Sequence, residues 1–280
     1  MPHLLVVGGT GFLGSRLIEV GTRRGFDVSA TRHTSTPSRP SASRASWFDC
    51  DITSRSQVDE LIASQQPDVV VNAAYIQNGP QADVVCADAA GWVADAAQSL
   101  DSRVIHVSTD LVFDGNLGRS YTEDDVTNPL SDYGRAKLRG EQLVLTAAPN
   151  AAIARTSLIY GDPTAPQESL TRKAVGSDSI SLFTDEWRSP VHVEDLAAAL
   201  VDLAADTFAG VLNVAGAERL SRFEFAGLLA TEMGCDPTQL LGRPQDPALG
   251  PRAKDVSLDI TNALALGLVL PGARERSTSR

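Results

Sequence analysis

The feature that most constrains this chain is its opening, a short apolar run at His3 to Val7 (HLLVV) that feeds directly into GGTGFLG, Gly8 to Gly14. A run without alternation is a strand buried on both faces, as in a parallel sheet covered by helices. Gly8, Gly11 and Gly14 then recur at every third residue before a helix expected over Ser15 to Arg24 and closed by Gly25. One such glycine makes a tight turn, one lets the backbone approach a ligand, and one lets helix and strand pack closely.

The same alternation continues. Strands are expected at Asp27 to Thr31, Ser46 to Phe48, Asp68 to Val71, Arg103 to Val107 and Ala152 to Arg155. Helices are expected near Ser54 to Ser64, at Val84 to Ser99 and at Ser131 to Leu145. The Ser/Pro/Arg-rich segment from His33 to Ser46 reads as a flexible connection. Strands alternating with helices imply an α/β fold with a doubly wound parallel sheet and right-handed crossovers. Beyond Tyr160 the pattern loosens at two prolines, Pro163 and Pro166. A strand at Ile180 to Phe183, a helix at Val193 to Ala205, a strand at Val211 to Val214 and helices at Ser221 to Met233 and Asp259 to Leu266 follow. The expected organisation is a dinucleotide-binding Rossmann domain over 1–160, with late elements from about 190–215. A smaller, interleaved substrate lobe occupies 161–280, with a polar, frayed end from Ala273.

Composition narrows the function. A formal net charge of −11 argues against a general nucleic-acid surface, which needs clustered Lys and Arg. Cys50, Cys86 and Cys235 lie in no CxxC pair, and the four histidines (His3, His33, His106, His192) have no zinc spacing, so no metal site is expected. Scattered thiols, no leader pattern and no apolar run of membrane length point to a cytoplasmic protein.

At the first strand-to-helix turn, Gly8, Thr10, Gly11, Phe12, Leu13 and Gly14 form the candidate pyrophosphate cradle, with helix-start amides facing the anion. The second strand ends Ala30-Thr31-Arg32, without the acid that holds the ribose 2′-hydroxyl of NAD. Arg32 either pairs with a 2′-phosphate or is a solvated surface arginine; the first reading favours NADP(H) over NAD(H). Asp51, with Ile52 beside it, is placed to receive the adenine amino group.

Tyr133 and Lys137 stand four apart in YGRAK, on one face of an expected helix. A free phenol has a pKa near 10, and a neighbouring ammonium stabilises the phenolate and brings it toward neutrality. Thr109, just past the strand RVIHV, is the candidate for polarising a substrate oxygen. Lys137 is also placed to hold nicotinamide ribose hydroxyls.

These stretches resemble the extended short-chain dehydrogenase/reductases. The resemblance is greatest to the dTDP-4-dehydrorhamnose reductase (sugar-nucleotide-binding) family, together with the related beta subunit of methionine adenosyltransferase. It is carried by GGTGFLG, NAAY (Asn72 to Tyr75), VSTDLVFDG (Val107 to Gly115), YTEDD (Tyr121 to Asp125), YGRAKLRGE (Tyr133 to Glu141), RTSLIYG (Arg155 to Gly161), SPVHVEDLA (Ser189 to Ala197) and RAKDVSLD (Arg252 to Asp259). The resemblance implies a catalytic set of Thr109, Tyr133 and Lys137, a cofactor path along Ala73 and Ala74, and hydride transfer to a carbonyl with Tyr133 moving the proton. The family's aromatic after STD and its Trp in the RTS stretch are here Leu111 and Leu158, and Cys86 stands where the family tends to have Asn. Leucine cannot stack on a sugar as an aromatic does, so substrate recognition is expected to differ.

Tyr75, Asp110, Leu111, Leu158, Trp187 and Arg188 are the candidate substrate residues. The acidic run Glu123, Asp124, Asp125 reads as a solvated loop, and His192 as a structural histidine. The reading is an NADP(H)-dependent reductase of a nucleotide-linked or other small carbonyl or imine. Its alternatives are an epimerase or dehydratase, for which Asp110 is the available carboxylate, and a regulatory subunit without turnover. A homodimer is compatible with the Ala-rich helices.

Overall fold

The computed structural model describes residues 1–35, 43–163, 165–246, 248, 250 and 252–278. Along the chain come β1 (His3–Val7), α1 (Phe12–Arg23), β2 (Asp27–Arg32), β3 (Ser46–Asp49), α2 (Arg55–Gln65) and β4 (Val69–Asn72). A π-helical turn (Val84–Asp88) runs into α3 (Ala89–Gln98), followed by β5 (Arg103–Thr109), a 3₁₀ turn (Asp110–Val112), α4 (Asp132–Ala147) and β6 (Ala152–Thr156). Next are β7 (Ile159–Tyr160), α5 (Pro166–Ala174), β8 (Ser181–Phe183), β9 (Trp187–Arg188), β10 (Val191–His192) and α6 (Val193–Ala205). The chain ends with β11 (Gly210–Asn213), β12 (Leu220–Ser221), α7 (Arg222–Glu232), β13 (Leu241–Arg243), α8 (Thr261–Ala265) and α9 (Ala273–Thr278).

The central sheet has seven strands in the order β11-β6-β5-β4-β1-β2-β3. Its pairs β1/β2, β1/β4, β2/β3 and β4/β5 are parallel. This is the doubly wound α/β arrangement, and the strand order reverses between β1 and β4. The lack of alternation in HLLVV has its cause here: Leu4, Leu5 and Val6 are fully buried, with layers on both faces. On one face Leu5, Val70 and Val104 meet Ile62, Val93 and Val144 of α2, α3 and α4. Small residues bring the helices close. A Cβ on Gly140 of α4 would lie 2.3 Å from the Cys86 carbonyl oxygen, so the π turn packs directly on α4.

The chain forms two compact units. The first comprises Met1–Thr109, Asp132–Ala154 and Ala197–Leu212; the second comprises Asp110–Ser131, Arg155–Leu196 and Asn213–Arg280. The segment Asp110–Ser131, which the alternating pattern placed within the first 160 residues, thus belongs to the second unit. Its anchors there are long-range: Tyr121 bridges to Leu258, and Asp110 pairs with Arg188. In the second unit β7 pairs with β10, β9 with β12 and β8 with β13, and Tyr160, Leu220, Phe225 and Leu229 form one of its apolar clusters.

Several local expectations change. α1 starts at Phe12, because Gly11 takes the N-cap position with extended backbone (φ −71°, ψ 169°). Pro166 does not loosen the chain but starts α5, occupying the first helical turn, where a missing N–H costs nothing. The end of the chain is a helix, α9, whose Ala273 is buried and whose Arg276 pairs with Asp195. Half of the connection expected over His33 to Ser46, residues 36–42, falls outside the described residues, as do the last two positions. Among the described residues no helix is long and apolar enough to cross a membrane, and no group of three or more His, Cys, Asp and Glu is arranged for a metal ion.

The acidic run is a clamp. The Glu123 carboxylate accepts from the Asn213 backbone N–H (2.9 Å) and from Asn262 Nδ2 (2.8 Å). Asp125 accepts from both Arg119 Nη atoms at 2.7 Å and from the Thr122 backbone and hydroxyl. Asn213 is fully buried, so Glu123→Ala strands a buried donor and should cost about 1–3 kcal/mol. The neighbouring Asp124 is exposed, and Asp124→Ala should stay within about 0.5 kcal/mol of the wild type. Urea unfolding of the two variants measures the contrast; equal midpoints would contradict it.

Candidate active site

In the first unit the turn after β1 is built from backbone. Gly8 has φ +87°, and a Cβ there would lie 2.9 Å from Ala74 Cα. A Cβ on Gly14 would lie 2.1 Å from the Gly8 carbonyl oxygen, and one on Gly9 would lie 2.7 Å from Ala30 Cβ. The Gly8 N–H donates to Thr31 Oγ1 (2.9 Å), the Gly9 N–H to the Thr31 carbonyl (3.1 Å) and the Gly11 N–H to the Gly8 carbonyl (3.0 Å). Gly11 is exposed, Thr10 and Phe12 are half-buried, and Leu13 is buried beneath them. A glycine N-cap brings no side-chain acceptor to the start of α1, the form a pyrophosphate cradle takes. Ala73 and Ala74 lie against this turn: Asn72 is in register with Val7, and the Ala73 N–H donates to the Val7 carbonyl.

At the far edge, Arg32 ends β2 and its guanidinium forks onto Asp49, Nε to Oδ1 at 2.7 Å and Nη2 to Oδ2 at 3.4 Å. Each partner shifts the other toward its charged form, chiefly through this hydrogen bond. Asp51 Oδ1 accepts from the Thr53 backbone and hydroxyl, which holds its carboxyl below the usual range, and Oδ2 lies 3.9 Å from His33 Nε2. Ile52 follows it and packs on the sheet core.

On α4, Tyr133 is half-buried and Lys137, one turn on, is 2% exposed. The exposed Tyr75 ring stands edge-on to Tyr133, with centroids 6.3 Å apart. Lys137 Nζ donates to the Val107 carbonyl (2.6 Å) and lies 3.2 Å from His106 Nε2. Burial pushes the Lys137 ammonium down to about 8, while Cys86 and Glu141 act in the opposite direction. Burial, and then the Lys137 charge, keep His106 well below the ordinary imidazole range, so the imidazole is neutral and accepts from Lys137. Ser108 Oγ donates to Glu141 Oε1 at 2.5 Å, tying α4 to β5 beside Thr109, which is 7% exposed. The buried Cys86 thiol donates to the Ile76 carbonyl at 3.3 Å. A cleft of about 480 Å³ reaches Tyr133, lined by Gln77, Asn78, Asp83, Asp132 and Arg135 among others.

In the second unit Asp110 is fully buried, and both its oxygens are taken. Arg188 donates Nε to Oδ2 (2.7 Å) and Nη2 to Oδ1 (2.5 Å), and Ser157 Oγ donates to Oδ2 (2.5 Å). Glu186 gathers three arginines: Arg252 at 3.1 Å, Arg188 at 3.8 Å and Arg222 at 3.9 Å. Burial pushes the Arg222 guanidinium down to about 10. Trp187 carries the Arg219 guanidinium 3.8 Å from its ring centre, and Arg219 also pairs with Asp255. Leu111 lies in the 3₁₀ turn after Asp110, and Leu158 packs on the Tyr160–Phe225 cluster. Arg155 is buried over the Phe113 ring, and His192 Nδ1 meets the Glu194 N–H and Arg276.

The first unit therefore gathers the glycine turn, Arg32, Asp51, Ile52, Ala73, Ala74, Tyr75, Thr109, Tyr133 and Lys137. The second gathers Asp110, Leu111, Leu158, Trp187 and Arg188. Sequence reasoning missed Gly9, Asp49, His106, Glu141 and Arg222. Glu141 had a local signal, since it lies on the Lys137 face of α4 at i+4, and His106 and Ser108 share one face of β5 by alternation. Asp49 and Arg222 had none.

The RmlD substrate binding domain model matches residues 2–277. A dTDP-4-dehydrorhamnose reductase from Mycobacterium tuberculosis is 36% identical over 264 residues, covering 89% of this chain and 81% of that protein. The methionine adenosyltransferase 2 subunit beta of Bos taurus is 28% identical, covering 95% of this chain and 83% of that protein. Among solved structures, dTDP-4-dehydrorhamnose reductase from Bacillus anthracis in complex with NADP superimposes with a TM-score of 0.84 at 25% identity, covering 100% and 98% of the two chains. With the match running through the glycine turn, β5, α4 and the second unit alike, the chain belongs to the RmlD substrate binding domain family, as an oxidoreductase of the dTDP-4-dehydrorhamnose reductase-like, short-chain dehydrogenase/reductase type.

Proposed function

We propose that this protein reduces the keto group of a nucleotide-linked sugar, with NADPH as cofactor and Tyr133 as proton donor. The observation that carries the reading is Lys137. An ammonium at 2% exposure is expensive to bury, and this one sits one helical turn from a half-buried phenol on the same face of α4. The glycine cradle, where backbone leaves no room for a Cβ at Gly8 or Gly14, has the form a dinucleotide pyrophosphate needs. A guanidinium at the end of β2, and the NADP held by the Bacillus anthracis relative, support the phosphorylated cofactor.

A nicotinamide cofactor held there would supply a hydride for the carbonyl carbon. The chain's own groups handle the oxygen. Tyr133 and Thr109 donate hydrogen bonds to the carbonyl oxygen, and Tyr133 passes its proton to that oxygen as negative charge develops. The Lys137 charge stabilises the phenolate left behind. His106 and the Val107 carbonyl keep Lys137 in place, and the Ser108–Glu141 bond holds α4 on β5. In the second unit, Arg222 and Arg252 around the single carboxylate of Glu186 leave positive charge suited to a sugar-nucleotide phosphate. Asp110, with both oxygens engaged by Arg188 and Ser157, is a positioning group and a poor candidate for the base of a dehydratase.

The test is NADPH consumption with dTDP-4-dehydrorhamnose and other nucleotide-linked keto-sugars. One NADPH oxidised per sugar reduced is expected. No consumption by a protein that binds NADPH would overturn the reading. It would favour the second one, a regulatory subunit, which the similarity to methionine adenosyltransferase 2 subunit beta motivates; a stoichiometric enzyme partner would then be sought.

A further inference from the structure

The end of β2 carries no acid in sequence, yet the structure brings one to it. Asp49, the last residue of β3, is the register partner of Arg32, the last residue of β2. Their side chains fork together at 2.7 and 3.4 Å. One residue earlier, Thr31 holds the Gly8 and Gly9 amides through its hydroxyl and carbonyl, so the pair stands at the rim of the glycine turn. Across the same rim lie His33 and Asp51 at 3.9 Å from each other, and Asp51 is occupied by Thr53. The Arg32–Asp49 pair is open to water, with side-chain exposures of 37% and 75%.

We propose that Asp49 sets the balance between phosphorylated and unphosphorylated adenosine ribose at this site, working against Arg32. The inference rests on the reading that the glycine turn binds a nicotinamide dinucleotide. An exposed ion pair holds its partners weakly, so Arg32 is free to turn from Asp49 to an incoming phosphate. A 2′-phosphate carries about two negative charges and three strong acceptors, and it would meet Arg32 bidentately. Asp49 would then stand beside that phosphate as a like charge. With an unphosphorylated ribose the roles reverse. The Asp49 carboxylate, steadied by Arg32, is the acceptor that a 2′-hydroxyl needs, supplied by the neighbouring strand instead of by β2 itself. The chain is thus equipped to read either nucleotide, and Asp49 keeps the preference for the phosphorylated one small.

The experiment is calorimetric titration of the intact protein with 2′,5′-ADP and with 5′-ADP, in wild type, Asp49→Asn, Asp49→Ser and Arg32→Ala. Both Asp49 variants are expected to raise the affinity ratio of 2′,5′-ADP over 5′-ADP by roughly five- to tenfold, the scale of one screened charge at close range. Arg32→Ala should remove most of the preference for 2′,5′-ADP. Binding of both nucleotides with ratios unchanged in the two Asp49 variants would overturn the proposal while leaving the dinucleotide reading intact. Failure of the wild type to bind either nucleotide, or NADPH, would overturn both.

Discussion

Tyr133→Phe is expected to reduce turnover of a nucleotide-linked keto-sugar by about 10²–10⁴-fold while changing the affinity for NADPH by no more than about twofold. The substitution removes one hydroxyl and nothing else. The ring keeps its edge-on contact with Tyr75 at 6.3 Å, and α4 keeps the Ser108–Glu141 bond that holds it to β5. A loss of rate with NADPH affinity intact can therefore be assigned to the missing proton. The deficit should lie in kcat, because the hydroxyl's bond to the carbonyl oxygen strengthens only as charge develops there. Steady-state kinetics together with NADPH titration measure both halves. Undiminished turnover in the Phe variant would remove Tyr133 from the chemistry, whatever the fate of the cofactor reading.

What could be read from the chain follows the range of the forces involved. Local patterns were legible: the unbroken apolar strands, the glycines at every third residue and the Tyr133–Lys137 spacing are each written within about one turn of their own neighbours. The parallel doubly wound sheet follows from them. What escaped depends on partners distant in sequence. Asp110 meets Arg188 across 78 positions, and Glu123 meets Asn213 across 90. An acidic loop has the same composition whether it is solvated or clamped; only the partner decides. Asp49 reaches Arg32 because β2 and β3 pair in parallel with Arg32 opposite Asp49, a register that no local pattern announces. Pro166 was misjudged for a different reason: a proline that ends one element is also a favoured first residue of the next.

Lys137→Met is expected to abolish turnover by at least about 10²-fold and, in the absence of nucleotide at neutral pH, to stabilise the fold relative to wild type. The charged lysine is buried against the Val107 carbonyl and neutral His106 on β5, with Cys86 on the π turn and Glu141 on its own helix acting on its charge. Burial lowers its pKa from 10.5 to about 8. At 1.36 kcal/mol for each pKa unit, that gap amounts to about 3 kcal/mol of penalty on the charged form. The sign follows from proton binding. Between about pH 8 and 10.5 the unfolded chain retains the proton that the folded chain has released, so wild-type stability gains with rising pH through that window. Below pH 8 both states are protonated and the whole penalty stands. Methionine fills the same channel without a charge. It leaves the Val107 carbonyl and His106 Nε2 each short of a donor, a cost of about 2 kcal/mol that does not vary with pH. The Met variant should therefore lead wild type in urea unfolding at pH 7, and the difference should move by about 2–3 kcal/mol in favour of wild type by pH 10, as the wild type sheds its buried proton. Groups that titrate alike in both proteins cancel in the difference. A stability difference that stays flat from pH 7 to pH 10 would mean that Lys137 is not held charged against its surroundings. The stabilisation of phenolate at Tyr133 would then need another source.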